Sequence, residues 1–220
     1  MKKLTLIPLV LLLLATTACS GTKETGSQTA AKGDIQTGTW SEDGTVFTNE
    51  WSGIKFTLPD GYVAASEEEL AEMSGASQET VAEGSNDLAA SVDMARTAYD
   101  FVVQPSDGTG LPYMMLVYED RGLSVAMNSI DENGYIDDVI LTELKAAEAQ
   151  GMVFSEIERT TATVAGAKWT CGKYSINDGA GFQEYYLRKV GSVMYGLSIT
   201  YYQDTADAAA TLLSAITAIE

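Results

Sequence analysis

From Val193 to Tyr201 every second residue is large and apolar, and that alternation constrains the fold more than any other feature of the chain. Val193, Tyr195, Leu197, Ile199 and Tyr201 must share one side of an extended strand, because successive side chains point to opposite faces. The pattern predicts a sheet with one buried face. A slip of one residue would turn the whole apolar set to the wrong side, so the register is firmly specified.

The rest of the chain reads around that strand. Strand-like segments at 153–164, 167–177 and 182–190 precede the one at 193–202, with glycine-containing turns between them. Earlier, Phe47 and Trp51 share a parity, and Ile54, Phe56 and Leu58 alternate into the turn Pro59-Asp60-Gly61. Two more strands, at 98–104 and 113–119, flank the turn-rich Pro105-Ser106-Asp107-Gly108-Thr109-Gly110. Helices interrupt these groups. Ser66-Glu67-Glu68-Glu69 is a capping box ahead of Leu70 and Met73. A second helix is expected over 78–95, against the cost of Gly84 and Ser85. A third covers 134–150, with Ile136, Val139, Ile140 and Leu144 at helical spacing. The last is capped by Asp204 or Thr205 and presents Ala209, Leu212, Ile216 and Ile219. Short turns between consecutive strands imply antiparallel pairing. The predicted fold is therefore α+β, a mainly antiparallel β-sheet packed between helices as an α–β–α sandwich.

The first 18 residues belong to none of this. Lys2 and Lys3 precede an apolar run from Leu4 to Leu14, and small residues Ala15 to Ala18 lead into Cys19. This is the order of an export signal. The fifteen residues from Leu4 to Ala18 fall short of the roughly 20 needed to span a bilayer, and Pro8 interrupts them. Thr17-Ala18-Cys19, with Thr16 before them, resembles the lipobox of bacterial lipoprotein precursors. The resemblance implies cleavage before Cys19 and a diacylglyceryl (palmitate-type) group on its sulfur. Two acyl chains hold a protein on a membrane stably where one holds it marginally. The segment at 20–41 is rich in Ser, Thr, Gly, Lys and Gln and reads as a flexible tether. The expected organisation is a signal peptide at 1–18, an acylated N-terminus and tether at 19–44, and a single domain at 45–220, with structure starting near Val46. The expected location is the cell membrane, lipid-anchored and facing outside the cytoplasm.

Charge and cysteine content exclude several chemistries. Two of the 13 basic residues and none of the 31 acidic ones lie in the leader, so 11 bases against 31 acids leave the mature chain at −20. Such a field repels phosphate backbones and anionic lipid, and nucleic acid is not an expected partner. With Cys19 acylated, only Cys171 remains, and no internal disulfide can form. Cys171 alternates with Trp169 in an apolar stretch, as a buried, inert thiol would. The chain has no histidine, which removes imidazole from any triad or metal site.

Other strings fail on spacing. Ser52-Gly53-Ile54-Lys55 fits Ser-x-x-Lys, but it runs into an alternating strand where residues three apart face opposite ways. Asp131, Asn133 and Asp137 resemble part of a calcium loop and are the candidate metal ligands. Counted from Asp131, however, Tyr135, Ile136 and Thr142 occupy positions that need an oxygen ligand, a glycine and an acid, so a helix cap is the simpler reading. Glu67 to Glu69 diverge on a helix rather than converge as a catalytic pair. Eleven tyrosines include the pairs Tyr185-Tyr186 and Tyr201-Tyr202. Alternation places one of each pair outside, and Tyr186 (or Tyr185) with Tyr202 are the candidate contacts for a glycan or protein partner.

The string Gly53-Ile54-Lys55-Phe56-Thr57-Leu58-Pro59-Asp60-Gly61-Tyr62, with Arg188-Lys189 ahead of the last strand and a closing helix, resembles the PsbP family of photosystem II extrinsic proteins and a related Ran-binding import factor. The likeness runs over about 46–219 and implies an antiparallel sheet between helical layers, used for binding or assembly without catalysis. No photosystem or Ran contact motif accompanies it. The expected function is a non-enzymatic binding or assembly module of the cell envelope, with no cofactor. The alternatives are an envelope hydrolase using unidentified carboxylates and a small-ligand-binding transport accessory.

Overall fold

The computed structural model describes residues 36–70, 73, 96–120 and 129–219. The signal peptide, Cys19, the tether up to residue 35 and the helix expected over 78–95 lie outside the described residues.

Among the described residues eleven strands form two sheets, every pair antiparallel. The smaller sheet comprises β1 (Thr39–Trp40), β2 (Val46–Asn49), β3 (Ile54–Thr57) and β11 (Ile216–Ala218), in that order. The larger has the order β4-β5-β6-β10-β9-β8-β7. Its strands are β4 (Tyr62–Ala64), β5 (Arg96–Pro105), β6 (Tyr113–Asp120), β7 (Glu158–Val164), β8 (Ala167–Ile176), β9 (Gly181–Val190) and β10 (Val193–Tyr201). A helical unit between β6 and β7 runs through α1 (Glu132–Tyr135), a π-helical turn (Ile136–Ile140) and α2 (Leu141–Glu148). After β10 come a 3-10 turn (Gln203–Thr205) and α3 (Ala206–Ser214).

The central strand β10 shows how the layers close. Val193, Tyr195, Leu197, Ile199 and Tyr201 all enter one core with Phe47 and Phe56 of the small sheet and Ala209 and Leu212 of α3. Met194, on the opposite face, packs with Ile136, Val139, Ile140 and Leu144 of the helical unit. The alternation therefore sorts the side chains as expected. The second face is covered too, however, and all nine residues of β10 are buried. The one buried face read from β10 alone thus becomes two, as the expected packing of the sheet between helices requires.

The stripe Ile136, Val139, Ile140 and Leu144 is almost fully buried, as its spacing predicts. Asp131 caps the unit by accepting from the Gly134 N–H at 2.8 Å. Ser66 and Glu69 form the expected capping box, with the Ser66 N–H donating to Glu69 Oε2 at 2.7 Å and the Glu69 N–H to Ser66 Oγ at 3.3 Å. Gly61 makes the turn after Pro59-Asp60 at a φ of +83°, a conformation that a side chain would oppose.

Three boundaries differ from expectation. The last helix ends at Ser214, and Ile216 pairs with Phe56 in β11 instead of extending the helical stripe. Ile216 and Thr217 are β-branched, and a long-range ladder outweighs one more helical turn. The strand expected from residue 153 begins at Glu158, preceded by a lone bridge between Phe154 and Ile176. The first described strand starts at Thr39, ahead of the expected start near Val46. Trp40 already packs edge-on against Phe47 at 5.4 Å and Phe56 at 6.2 Å, so residues read as tether belong to the core.

Candidate functional site

Three polar clusters are built into the large sheet, and their exposure separates them. The first is closed. Asp100 sits at a break in the β5–β6 register between Tyr99 and Phe101 and is 4 % exposed. Its carboxylate accepts from the Gly38 N–H at 2.6 Å, from Asn49 Nδ2 at 2.8 Å and from the Tyr118 hydroxyl. Burial pushes its pKa above the ordinary aspartate range, against those three hydrogen bonds. A Cβ at Gly38 would come within 2.3 Å of the Phe47 ring, so only glycine brings the chain this close. The cluster clasps the segment at Gly38 to the large sheet.

The second cluster lies under α2. The Tyr174 hydroxyl donates to Gln183 Oε1 at 2.7 Å, and Gln183 Nε2 donates to Ser198 Oγ at 3.0 Å. Tyr174 and Tyr185 hydroxyls are 3.2 Å apart, and burial raises the pKa of both, so they stay protonated. Thr200, cross-strand from Gln183, is buried with no hydrogen-bond partner for its hydroxyl among the described residues.

The third cluster reaches solvent through Lys173, while its Tyr201 and Tyr186 are buried. Register places Lys173 of β8 between Glu158 of β7 and Glu184 of β9. Lys173 Nζ lies 2.9 Å from Glu184 Oε1, donates to the Tyr201 hydroxyl at 2.8 Å, and sits 5.5 Å from the centroids of both the Phe182 and Tyr201 rings. Those rings stack on each other with centroids 5.6 Å apart. Glu184 also accepts from Tyr201 at 2.5 Å and from Tyr186 at 2.6 Å. Burial opposes the charge on Glu184, yet these hydroxyls and Lys173 outweigh it and hold its pKa below the ordinary glutamate range. Burial likewise works against the Lys173 ammonium, but Tyr201 and Glu184 raise its pKa on balance. The Lys173 side chain remains 44 % exposed. An ammonium carries three donors, and Tyr201 and Glu184 engage two of them among the described residues. Cation, carboxylate and aromatic rings together can bind a polar or charged group.

The residues expected to form the site are dispersed. Tyr186 is 6 % exposed and directed at Glu184, and Tyr185 is equally buried on the opposite face, in the helix-side core. Tyr202 is half-buried beyond the end of β10, its N–H donating to Thr205 Oγ1 at 3.0 Å. The exposed tyrosine face is therefore not formed, because the layers on both sides cover what alternation would expose. Asp131 is spent on its cap, Asp137 pairs with Arg159 at 2.5 Å, and Asn133 stands exposed between them. Among the described residues no three acidic or cysteine side chains are grouped to hold a metal. Cys171 is buried beside Trp169 in the core, and burial raises its pKa.

Lys173, Glu184 and Phe182 were not singled out from sequence. The signal that reveals them is the turn Asn177-Asp178-Gly179, where φ is positive at all three residues. A tight turn there fixes the β8–β9 register and brings Lys173 opposite Glu184.

No family model matches the chain, and no curated protein matches it. Among solved structures it is similar to cyanobacterial PsbP (CyanoP) from Synechocystis sp. PCC 6803, at 11% identity and a TM-score of 0.44, over 88% of this chain and 98% of that one. It is also similar to LpqN of Mycobacterium tuberculosis, a protein involved in cell envelope biogenesis, at 14% identity and a TM-score of 0.36, over 76% of this chain and 83% of that one.

Proposed function

We propose that this chain is an extracytoplasmic lipoprotein, held to the membrane through lipid on Cys19, whose domain is a non-enzymatic binding module of the cell envelope. The observation that carries the binding role is the Lys173 cluster, in which a 44 % exposed ammonium side chain sits beside two stacked rings. The anchoring role draws on the short leader ending at Cys19. No helix among the described residues is long and apolar enough to cross a membrane. The Asp100 clasp supports both roles, since it ties the chain emerging from the tether to the sheet that bears the site. The partner is a protein or glycan at the cell surface.

Fractionation tests the anchor. The Cys19→Ala precursor is expected to stay unprocessed and without lipid, and normal processing with membrane retention would contradict the assignment. Crosslinking in intact cells tests the site. Wild type is expected to give a discrete crosslinked species that Lys173→Glu loses, whereas an unchanged pattern would remove the cluster from the binding role.

A further inference from the structure

β7 ends the seven-stranded sheet, and among the described residues no strand pairs with its outer edge. The other edge strands, β4, β1 and β11, are three, two and three residues long, but β7 runs for seven. It keeps unbroken register with β8 from Glu158↔Lys173 to Val164↔Ala167. Glu158 to Thr161 and Thr163 are exposed. Natural sheets blunt such edges with proline, bulges, lysines or short length. β7 has no proline, bulge or lysine, its charges Glu158 and Arg159 stand at one end, and its Val164 end lies near β11. From Glu158 to Thr161 the N–H and C=O groups turned away from β8 are a template for another strand.

The charges say what that strand carries. Across the sheet on one face, Glu184, Lys173 and Glu158 alternate in sign from β9 to β7. The next place in the row lies on an incoming strand, and a base there continues the alternation. A second copy does not supply it. Two β7 strands paired antiparallel about Thr161 place Val164 opposite Glu158, and the one basic residue of β7, Arg159, is held by Asp137. Two mature chains at −20 each also repel one another.

We propose that β7 accepts an extended segment of a protein partner as an eighth strand, antiparallel like the rest of the sheet, with a basic side chain seated opposite Glu158. This deepens the binding-module reading and rests on it, but it stands or falls separately from the anchor on Cys19.

Fluorescence anisotropy of the detergent-solubilised full chain with labelled heptapeptides provides the test. The probes are Val-Thr-Val-Thr-Val-Thr-Lys, its twin ending in Glu, and a Lys-ended twin N-methylated at two adjacent central residues. The Lys-ended peptide is expected to bind roughly fivefold more tightly than the Glu-ended one, as cross-strand charge pairs imply. Glu158→Lys, an exposed change, is expected to reverse that order, and N-methylation is expected to abolish binding. No binding by the Lys-ended peptide, equal binding of the two termini, an order unchanged by Glu158→Lys, or binding of the N-methylated twin would overturn the proposal. Dimerisation in sedimentation that competes with the peptide would assign the edge to a second copy and overturn it as well.

Discussion

Asp100 and Glu184 are both hydrogen-bonded carboxylates, yet they bias stability in opposite directions with pH. Asp100 has a raised pKa, so the folded chain holds its proton more tightly than the unfolded chain. Its contribution is full at pH below the unfolded value and is lost as pH rises through the folded one. Urea denaturation of wild type against Asp100→Asn should therefore shift in favour of wild type as pH falls from 7 towards 4. Glu184 has a lowered pKa, and its contribution is present above the unfolded value of 4.5 and lost as pH falls through the folded one. Wild type against Glu184→Gln should shift the other way over that lower window. Thr200 gives a prediction without charge. Its buried hydroxyl lacks a partner among the described residues, so Thr200→Val should raise stability by about 1 kcal/mol in the same assay. None of these roles was legible in the sequence. Alternation assigns a residue to a side of the sheet, and it is silent on what covers that side, which is why Tyr186 was expected outside and lies inside.

Elements were more legible than residues wherever periodicity alone decides. The four strands from β7 to β10 and the stripe of the α1–α2 unit follow from periods of two and about 3.6, and local turns then fix most of the register. The ends of elements depend on distant partners instead. Ile216 continues the spacing of Ala209 and Leu212, yet it joins β3, more than 150 residues away in sequence, because the small sheet needs a fourth strand. The same geometry makes α3 a test of packing. Leu212 is fully buried between α3 and both sheets, and Leu212→Ala should cost about 3 kcal/mol in thermal or urea unfolding. Loss of less than about 1 kcal/mol would mean that the helix is not seated as described.

At the scale of the whole molecule, the described sheets and helices surround cores on both faces of the large sheet, and the α+β class follows from the order of strands and helices alone. The pairing of the small sheet did not, because β1 was read as tether and β11 as helix. What the architecture leaves open to solvent is a long strand edge and the half-exposed Lys173 beside it, at the opposite end of the strand order from β5, where the Asp100 clasp receives the chain. Such an arrangement suits a domain held from one side and bound from another. That account depends on the anchor. Mass spectrometry of the N-terminal peptide from the mature, membrane-extracted protein tests it most directly. The expected first residue is Cys19 carrying a diacylglyceryl group. An unmodified Cys19, or a mature chain that starts elsewhere and partitions into the aqueous fraction, would contradict it.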